Sequence, residues 1–246
     1  MQKNNFWDNS IPIGYYDLSH NGTNNSSKIQ SNWHHISYTR VAKYLKKNIN
    51  HLDYACGPGT LIGLYSQSNS IGYDYAKLQI EYANNKYKNY DSEFTFDEKK
   101  IFNRKYDVIT IMGLFEYLED IEILNLLNKF KDSLSKNGRI IITTPNYNSF
   151  IRILEIISNS FGSVNYSKVN INKLTKKRLL QIISKTDYKI NKIQKFLNFG
   201  VLFSVFSLKT GIKVENFISN IFNNFFGYLM FVEIEINDYL FESNQS

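Results

Sequence analysis

The stretch from residue 50 to residue 74 constrains this chain more than any other. A short run, His51-Leu52-Asp53, ends in an acid and is followed by Ala55-Cys56-Gly57-Pro58-Gly59. Gly57 and Gly59 allow positive φ and place no side chain between backbone and ligand. A turn of this kind between a strand and a helix presents backbone N–H groups to a ligand. Asp74 closes the next short strand-like run, 21 positions after Asp53. That interval is one β-α-β step, the separation at which a carboxylate can accept both hydroxyls of a ribose. The stretch therefore predicts a nucleoside-binding turn at the edge of a parallel sheet.

The chain around it alternates. Strands are expected at about 51–55, 70–74, 93–96, 106–112 and 138–144, with helices near 60–67, 76–87 and 120–135. Such alternation predicts an α/β, doubly wound sheet with helices on both faces. A helix is expected over 33–47, after a polar lead rich in Asn and Ser that contains the aromatic stretch Ile11-Pro12-Ile13-Gly14-Tyr15-Tyr16-Asp17. Beyond residue 147, helices are expected at 149–160, 174–183 and 213–226, and strands at 188–196 and 228–236. No internal repeat or linker interrupts the chain, so residues 1–48 are read as a lead segment and cap helix belonging to one domain with residues 49–246.

Asp53-x-Ala55-x-Gly57-x-Gly59 and Asp74, with Asn137-Gly138 and Pro145-Asn146 around a fifth strand, resemble the class I S-adenosylmethionine-dependent methyltransferases. That family's pattern is acidic-x-Gly-x-Gly-x-Gly, and Ala55 stands at its first glycine. The resemblance covers about residues 33–236, with specific motifs in 51–146. A dinucleotide pattern fits less well, because Ile62 occupies its third glycine, so a nucleotide-dependent oxidoreductase is the weaker alternative. A methyltransferase-like binding protein without activity is another.

The resemblance implies a mostly parallel seven-stranded sheet whose last strand is inserted antiparallel between strands five and six. It implies S-adenosyl-L-methionine as cofactor, with Asp53, Ala55, Gly57 and Gly59 along its methionine part. Asp74 would take the ribose, Tyr75 the adenine ring, and Asp97 (or its neighbour Glu98) the adenine amino group. Gly113, in Met112–Leu118, would line the sulfonium and substrate side. Tyr117 stands where many relatives carry His. Arg40 on the cap helix would pair with the cofactor's carboxylate.

A methyl on a sulfonium is already activated, so the enzyme chiefly positions a nucleophile in line and excludes water. A base is needed only for a protonated nucleophile. His20, His35 and Tyr117 are the candidate catalytic groups. No His, Cys and acid grouping has metal-ligand spacing, so no metal is expected. Residues 11–40 are expected to cover the ligand and wall the acceptor pocket.

The net charge is +7, from scattered lysines, and favours no nucleic-acid partner. The basic run from Lys173 to Lys195 is read as a solvated face, although contact with a membrane surface would suit it. The resemblance implies a small-molecule or a lipid- or saccharide-linked acceptor. The single Cys56 gives no disulfide and suits the cytoplasm; packing is its expected role. No leader-like segment and no apolar run of about 18 residues is visible. Residues 196–208 and 216–232, uncharged and rich in Phe, are read as core.

Overall fold

A computed structural model describes residues 6–7, 10–21, 28–148, 169–222 and 225–237. Among the described residues, α1 (Tyr15–His20) and α2 (Lys28–Ala42) precede the sheet. Next come β1 (Asn50–Tyr54), α3 (Thr60–Tyr65), β2 (Asn69–Tyr73), α4 (Lys77–Tyr87), β3 (Ser92–Thr95) and α5 (Lys99–Phe102). They are followed by β4 (Tyr106–Met112), a 3₁₀ turn (Phe115–Tyr117), α6 (Asp120–Lys131) and β5 (Leu134–Pro145). The last elements are α7 (Lys176–Ile183), β6 (Tyr188–Phe196), a 3₁₀ segment (Phe199–Val205), α8 (Leu208–Ile221) and β7 (Leu229–Ile236).

The seven strands lie in the order β3-β2-β1-β4-β5-β7-β6. All pairings are parallel except those of β7, which runs antiparallel between β5 and β6. Successive residues of a strand point to opposite faces, and both faces are covered. Ile140 and Ile142 join Leu52, Ile109 and Ile111 in the core under α6 and α7, whereas Ile141 joins Val108 and Phe231 under α2. The same alternation sends His51, Asp53 and Thr110 toward the α2 face. Order reverses between β1 and β4, so the crevice for a ligand opens at their carboxyl ends.

Several boundaries differ from the sequence reading. The helix before β1 ends at Ala42, because Tyr44 and Leu45 continue it only with i→i+3 bonds to Val41 and Ala42. β5 begins at Leu134; its pairing jumps from Leu134 opposite Tyr106 to Arg139 opposite Val108, and Asn137-Gly138 lies in the intervening bulge. The helix expected at 149–160 lies outside the described residues. The helix expected at 213–226 spans 208–221, because Ser207 caps it by accepting from the Thr210 N–H at 3.0 Å.

The two Phe-rich stretches are not simply core. Phe196, Leu197, Val201 and residues 228–232 are buried, but Phe206, Phe217 and Phe225 are 73%, 65% and 66% exposed. In α8 the fully buried positions are Gly211 and Glu215, with Ile212 partly buried beside them, which leaves Phe217 on the outer face. The basic run is largely tied to its own surface: Arg178 pairs with Asp120, Lys189 with Glu235, and Lys173 lies over the Tyr147 ring.

Candidate functional site

The turn after β1 is built on left-handed backbone. Ala55, Gly57 and Gly59 have φ of 64°, 52° and 76°. A Cβ on Gly59 would lie 2.5 Å from the Phe94 ring, so only glycine fits there; one on Gly57 would meet nothing closer than the Tyr16 ring at 3.6 Å. Ala55 adopts a conformation that costs an L-residue roughly 1 kcal/mol. Cys56 packs with Ile62, Phe94 and their neighbours, and burial pushes its thiol pKa up.

The two acids flank this turn. Asp74 accepts from the Gly57 N–H at 2.9 Å with Oδ2 and from the Ala76 N–H at 2.9 Å with Oδ1. These bonds fix the plane of its carboxylate next to the turn. Asp53 is buried beneath, and Thr110 of β4 donates to its Oδ1 at 2.6 Å. Burial raises the Asp53 pKa to about 7; the Thr110 bond opposes the rise and the Asp74 charge adds to it.

Behind Thr110 runs a buried polar chain. The His51 ring lies 2.9 Å by Nε2 from Thr110 Oγ1 and 3.0 Å by Nδ1 from Ser70 Oγ, which in turn is 2.8 Å from Ser66 Oγ. Thr110 gives its only proton to Asp53, so it must accept from His51, and Nε2 carries the imidazole proton. Burial pushes His51 down to about 3, so the ring is neutral. Three strands thus present a chain of donors ending at Asp53.

The other predicted residues divide. Tyr75 is partly exposed directly after Asp74. Asp97 stays on the loop after β3: its N–H donates to Thr95 Oγ1 and its Oδ1 accepts from the Lys99 N–H, starting α5. Glu98 is drawn away to Tyr54 and Lys129. Gly113 has φ of 63° and donates its N–H to the Thr143 carbonyl at 2.9 Å. Tyr117 meets Trp7 of the lead segment edge to face, with centroids 4.8 Å apart.

His20 and His35 are brought together, but not at the glycine turn. His20 Nε2 and His35 Nδ1 lie 2.6 and 2.9 Å from the same Tyr65 hydroxyl. Tyr65 ends α3, and the turn is at that helix's other end, about 9 Å away along its axis. Arg40 is not at the turn either. Its guanidinium bonds Gln194 and lies 4.8 Å from the Phe196 ring, both on β6 at the sheet's far edge.

The histidine whose neighbours reach the turn is His34, whose ring lies 5.9 Å from that of Tyr16. Burial, then His20, lowers its pKa to about 4. Among the described residues no group of three or more His, Cys, Asp or Glu could hold a metal.

Sequence reasoning missed the anchor of the lead segment. Asp17, fully buried, accepts from Thr60 at the start of α3 and from Tyr82, Tyr87 and Lys86 of α4. Burial opposes ionisation, but those hydrogen bonds together hold its pKa below the usual value. Gln79 adds a two-way clamp, accepting from the Gly14 N–H and donating to the Pro12 carbonyl. The lead segment therefore touches Gly57 through Tyr16 and Tyr117 through Trp7. The only sequence signal for this was an acid inside an aromatic run.

Comparisons with known proteins agree with this geometry. A family model described as a methyltransferase domain matches residues 30–192. No curated protein matches the chain. Among solved structures, the plantazolicin methyltransferase BpumL in complex with SAH is 20% identical, with a TM-score of 0.59 over 95% of this chain and 93% of that one. A SAM-dependent methyltransferase from Archaeoglobus fulgidus is 18% identical, with a TM-score of 0.59 over 89% and 98%. The magnesium protoporphyrin IX methyltransferase ChlM from Synechocystis PCC 6803 is 13% identical, with a TM-score of 0.56 over 84% of each chain. The match over most of its length, on a seven-stranded sheet with β7 reversed between β5 and β6, places this chain in the methyltransferase-domain family, with the class I fold.

Proposed function

We propose that the chain binds S-adenosylmethionine at the glycine turn and transfers its methyl group to an O, N or C nucleophile of a small-molecule or lipid- or saccharide-linked acceptor. The observation that carries this reading is the turn itself: left-handed backbone at 55, 57 and 59, with Asp74 bonded to the Gly57 N–H and Asp53 buried beneath.

These residues fit the cofactor. A Cβ-sized space lies open at Gly57. A carboxylate accepts about four hydrogen bonds, so the ribose hydroxyls suit Asp74, whose plane is already fixed. Ionised Asp53 attracts the ammonium of the methionine part. Tyr75 would flank the adenine, and Asp97 its amino group. When bound, the cofactor supplies an activated methyl on a cationic sulfur. The chain's share is then to orient and dry the site. Gly113 lets the backbone approach, while Tyr16, Trp7 and Tyr117 close it with aromatic surface. Tyr117 is the hydroxyl-bearing candidate nearest the substrate side. The His20–Tyr65–His35 cluster would act as a tie between α1, α2 and α3.

Relatives named for plantazolicin and for magnesium protoporphyrin IX share this fold. Acceptors that different point away from the sheet and toward the lead segment as the selector. Thermal unfolding with S-adenosylhomocysteine tests the reading: a ligand of the folded state must raise Tm. Stabilisation by a nicotinamide dinucleotide instead would overturn it.

A further inference from the structure

α8 is built inside out. Its inward stripe is Gly211, Glu215 and Ser219, spaced i, i+4, i+8. A Cβ on Gly211 would lie 2.0 Å from Ser204 Oγ. The Glu215 carboxylate accepts from the Leu197 N–H at 3.1 Å and from Ser219 at 3.2 Å, and Asn198 donates to its carbonyl at 2.9 Å. Small and polar groups, with Ile212 beside them, thus dock the helix, and Leu208, Phe217 and Ile221 face out. Phe217 and Ile221 of α8 are 65% and 57% exposed. The flanking segments add Phe203, Phe206, Phe225 and Phe226, exposed as well. Phe203 stands beside Phe206 and Phe225 beside Phe226, and exposed apolar groups gathered in this way mark an interaction site.

Charge selects the occupant. Between Lys195 and Phe226 the sequence holds three lysines, 195, 209 and 213, and one acid, Glu215. Glu215 is buried and bonded inward, whereas Lys209 and Lys213 are exposed. Lys195 donates to the Phe225 carbonyl at 3.0 Å and lies 5.1 Å from its ring. Exposed aromatic side chains accompanied by lysines, in a stretch whose one acid is buried, match an interfacial helix lying in the plane of an anionic bilayer. α8 has 14 residues, about 21 Å in length, too short to span a bilayer but suited to lying in its surface. A second copy fits worse. An isologous contact would bring the same lysines together without acids to pair them.

We infer that this face, α8 with the segments on either side, docks the protein on an anionic lipid surface. Its place gives the docking a consequence. Phe196 ends β6, which is parallel to β5, and Leu229 pairs with Pro145 at the carboxyl end of β5. The segment therefore leaves and re-enters the sheet at the carboxyl ends of its strands, the end at which the glycine turn opens, although β4, β5 and β7 lie between β6 and β1. Resting on the methyl-transfer reading, this narrows the acceptor to molecules held at a lipid–water interface.

Flotation of the full chain with vesicles tests the docking without any assay of methyl transfer. The protein is expected to float with vesicles of equal parts phosphatidylcholine and phosphatidylglycerol, to float less with phosphatidylcholine alone, and to be released by salt. Phe206→Ser/Phe217→Ser/Phe225→Ser should lower partition at least tenfold with Tm unchanged, since all three side chains are already exposed. Lys209→Gln/Lys213→Gln should lower it by roughly fivefold per lysine at low salt, the equivalent of about 1 kcal/mol each. Equal flotation of parent and Phe variant overturns the inference. So does an absence of flotation, and so does a dimer in sedimentation velocity that the Phe variant abolishes while vesicles bind neither protein. Stabilisation by S-adenosylhomocysteine without flotation would leave the methyltransferase reading intact and remove only the membrane.

Discussion

The buried carboxylate of Asp53 makes cofactor affinity depend on pH. In the protein without ligand its pKa is raised to about 7, chiefly by burial. The ammonium of a bound S-adenosylhomocysteine favours the ionised form, so the pKa falls on binding. Above pH 7 Asp53 is already ionised and affinity is flat. Below pH 7 binding must expel a proton, and Kd rises up to tenfold per pH unit. A full return from about 7 to the ordinary 3.8 corresponds to about 4 kcal/mol, at 1.36 kcal/mol per pH unit.

Folding stability of the ligand-free protein carries the opposite sign. A raised pKa in the folded state means that stability present below about pH 4 is lost as pH rises through 7. Ligand relieves that loss, so the Tm increment from S-adenosylhomocysteine should widen with pH. His34 and His51, lowered to about 4 and 3, stay neutral over this range. Isothermal titration between about pH 5.5 and 7.5, in two buffers of different ionisation enthalpy, should show proton release that disappears in Asp53→Asn. A flat Kd in the parent protein, or an equal slope in Asp53→Asn, would refute the reasoning.

Three other outcomes are expected. Asp74→Ala removes an acceptor whose bonds from hydroxyls are worth about 1.5–3 kcal/mol each; S-adenosylhomocysteine should bind at least tenfold more weakly while circular dichroism is unchanged. Ala55→Gly relieves a φ of 64° and, after the larger entropy of an unfolded glycine, should stabilise by about 0.5 kcal/mol, a rise in Tm of a degree or two; a lower Tm would show that Ala55 is not strained. Deleting residues 1–21, which leaves α2 whole, should retain weakened S-adenosylhomocysteine binding and abolish transfer to the acceptor. Full turnover by that truncated protein would show that the lead segment forms no wall of the site.

The strand–turn–helix order around residues 50–74 was legible because its signals are local: glycines where φ is positive, acids at strand ends, a fixed β-α-β interval. The place of β7 was legible only through resemblance, since a strand's own residues do not say between which neighbours it inserts. The setting of His20 and His35 was not legible for a related reason. Helix direction carries both rings to the Tyr65 hydroxyl, at the end of α3 away from the turn.

What the tertiary structure alone decided are the contacts between residues far apart in the chain. Asp17 meets Lys86 across 69 positions, and Thr110 meets Asp53 across 57. Neither pair has a sequence pattern, because helix-on-helix packing makes the first and the parallel pairing of β1 with β4 the second. The outward face of α8 was hidden for the opposite reason. Apolar residues at helical spacing predict burial, and only the packing of Gly211 and Glu215 against Ser204 and Leu197 turned them to solvent. Sequence by itself determined the turn and the two acids beside it, because backbone conformation and short-range spacing are local properties. Which side chains complete the site, and which face is left to meet a surface, depended on long-range contacts that exist only in the folded chain.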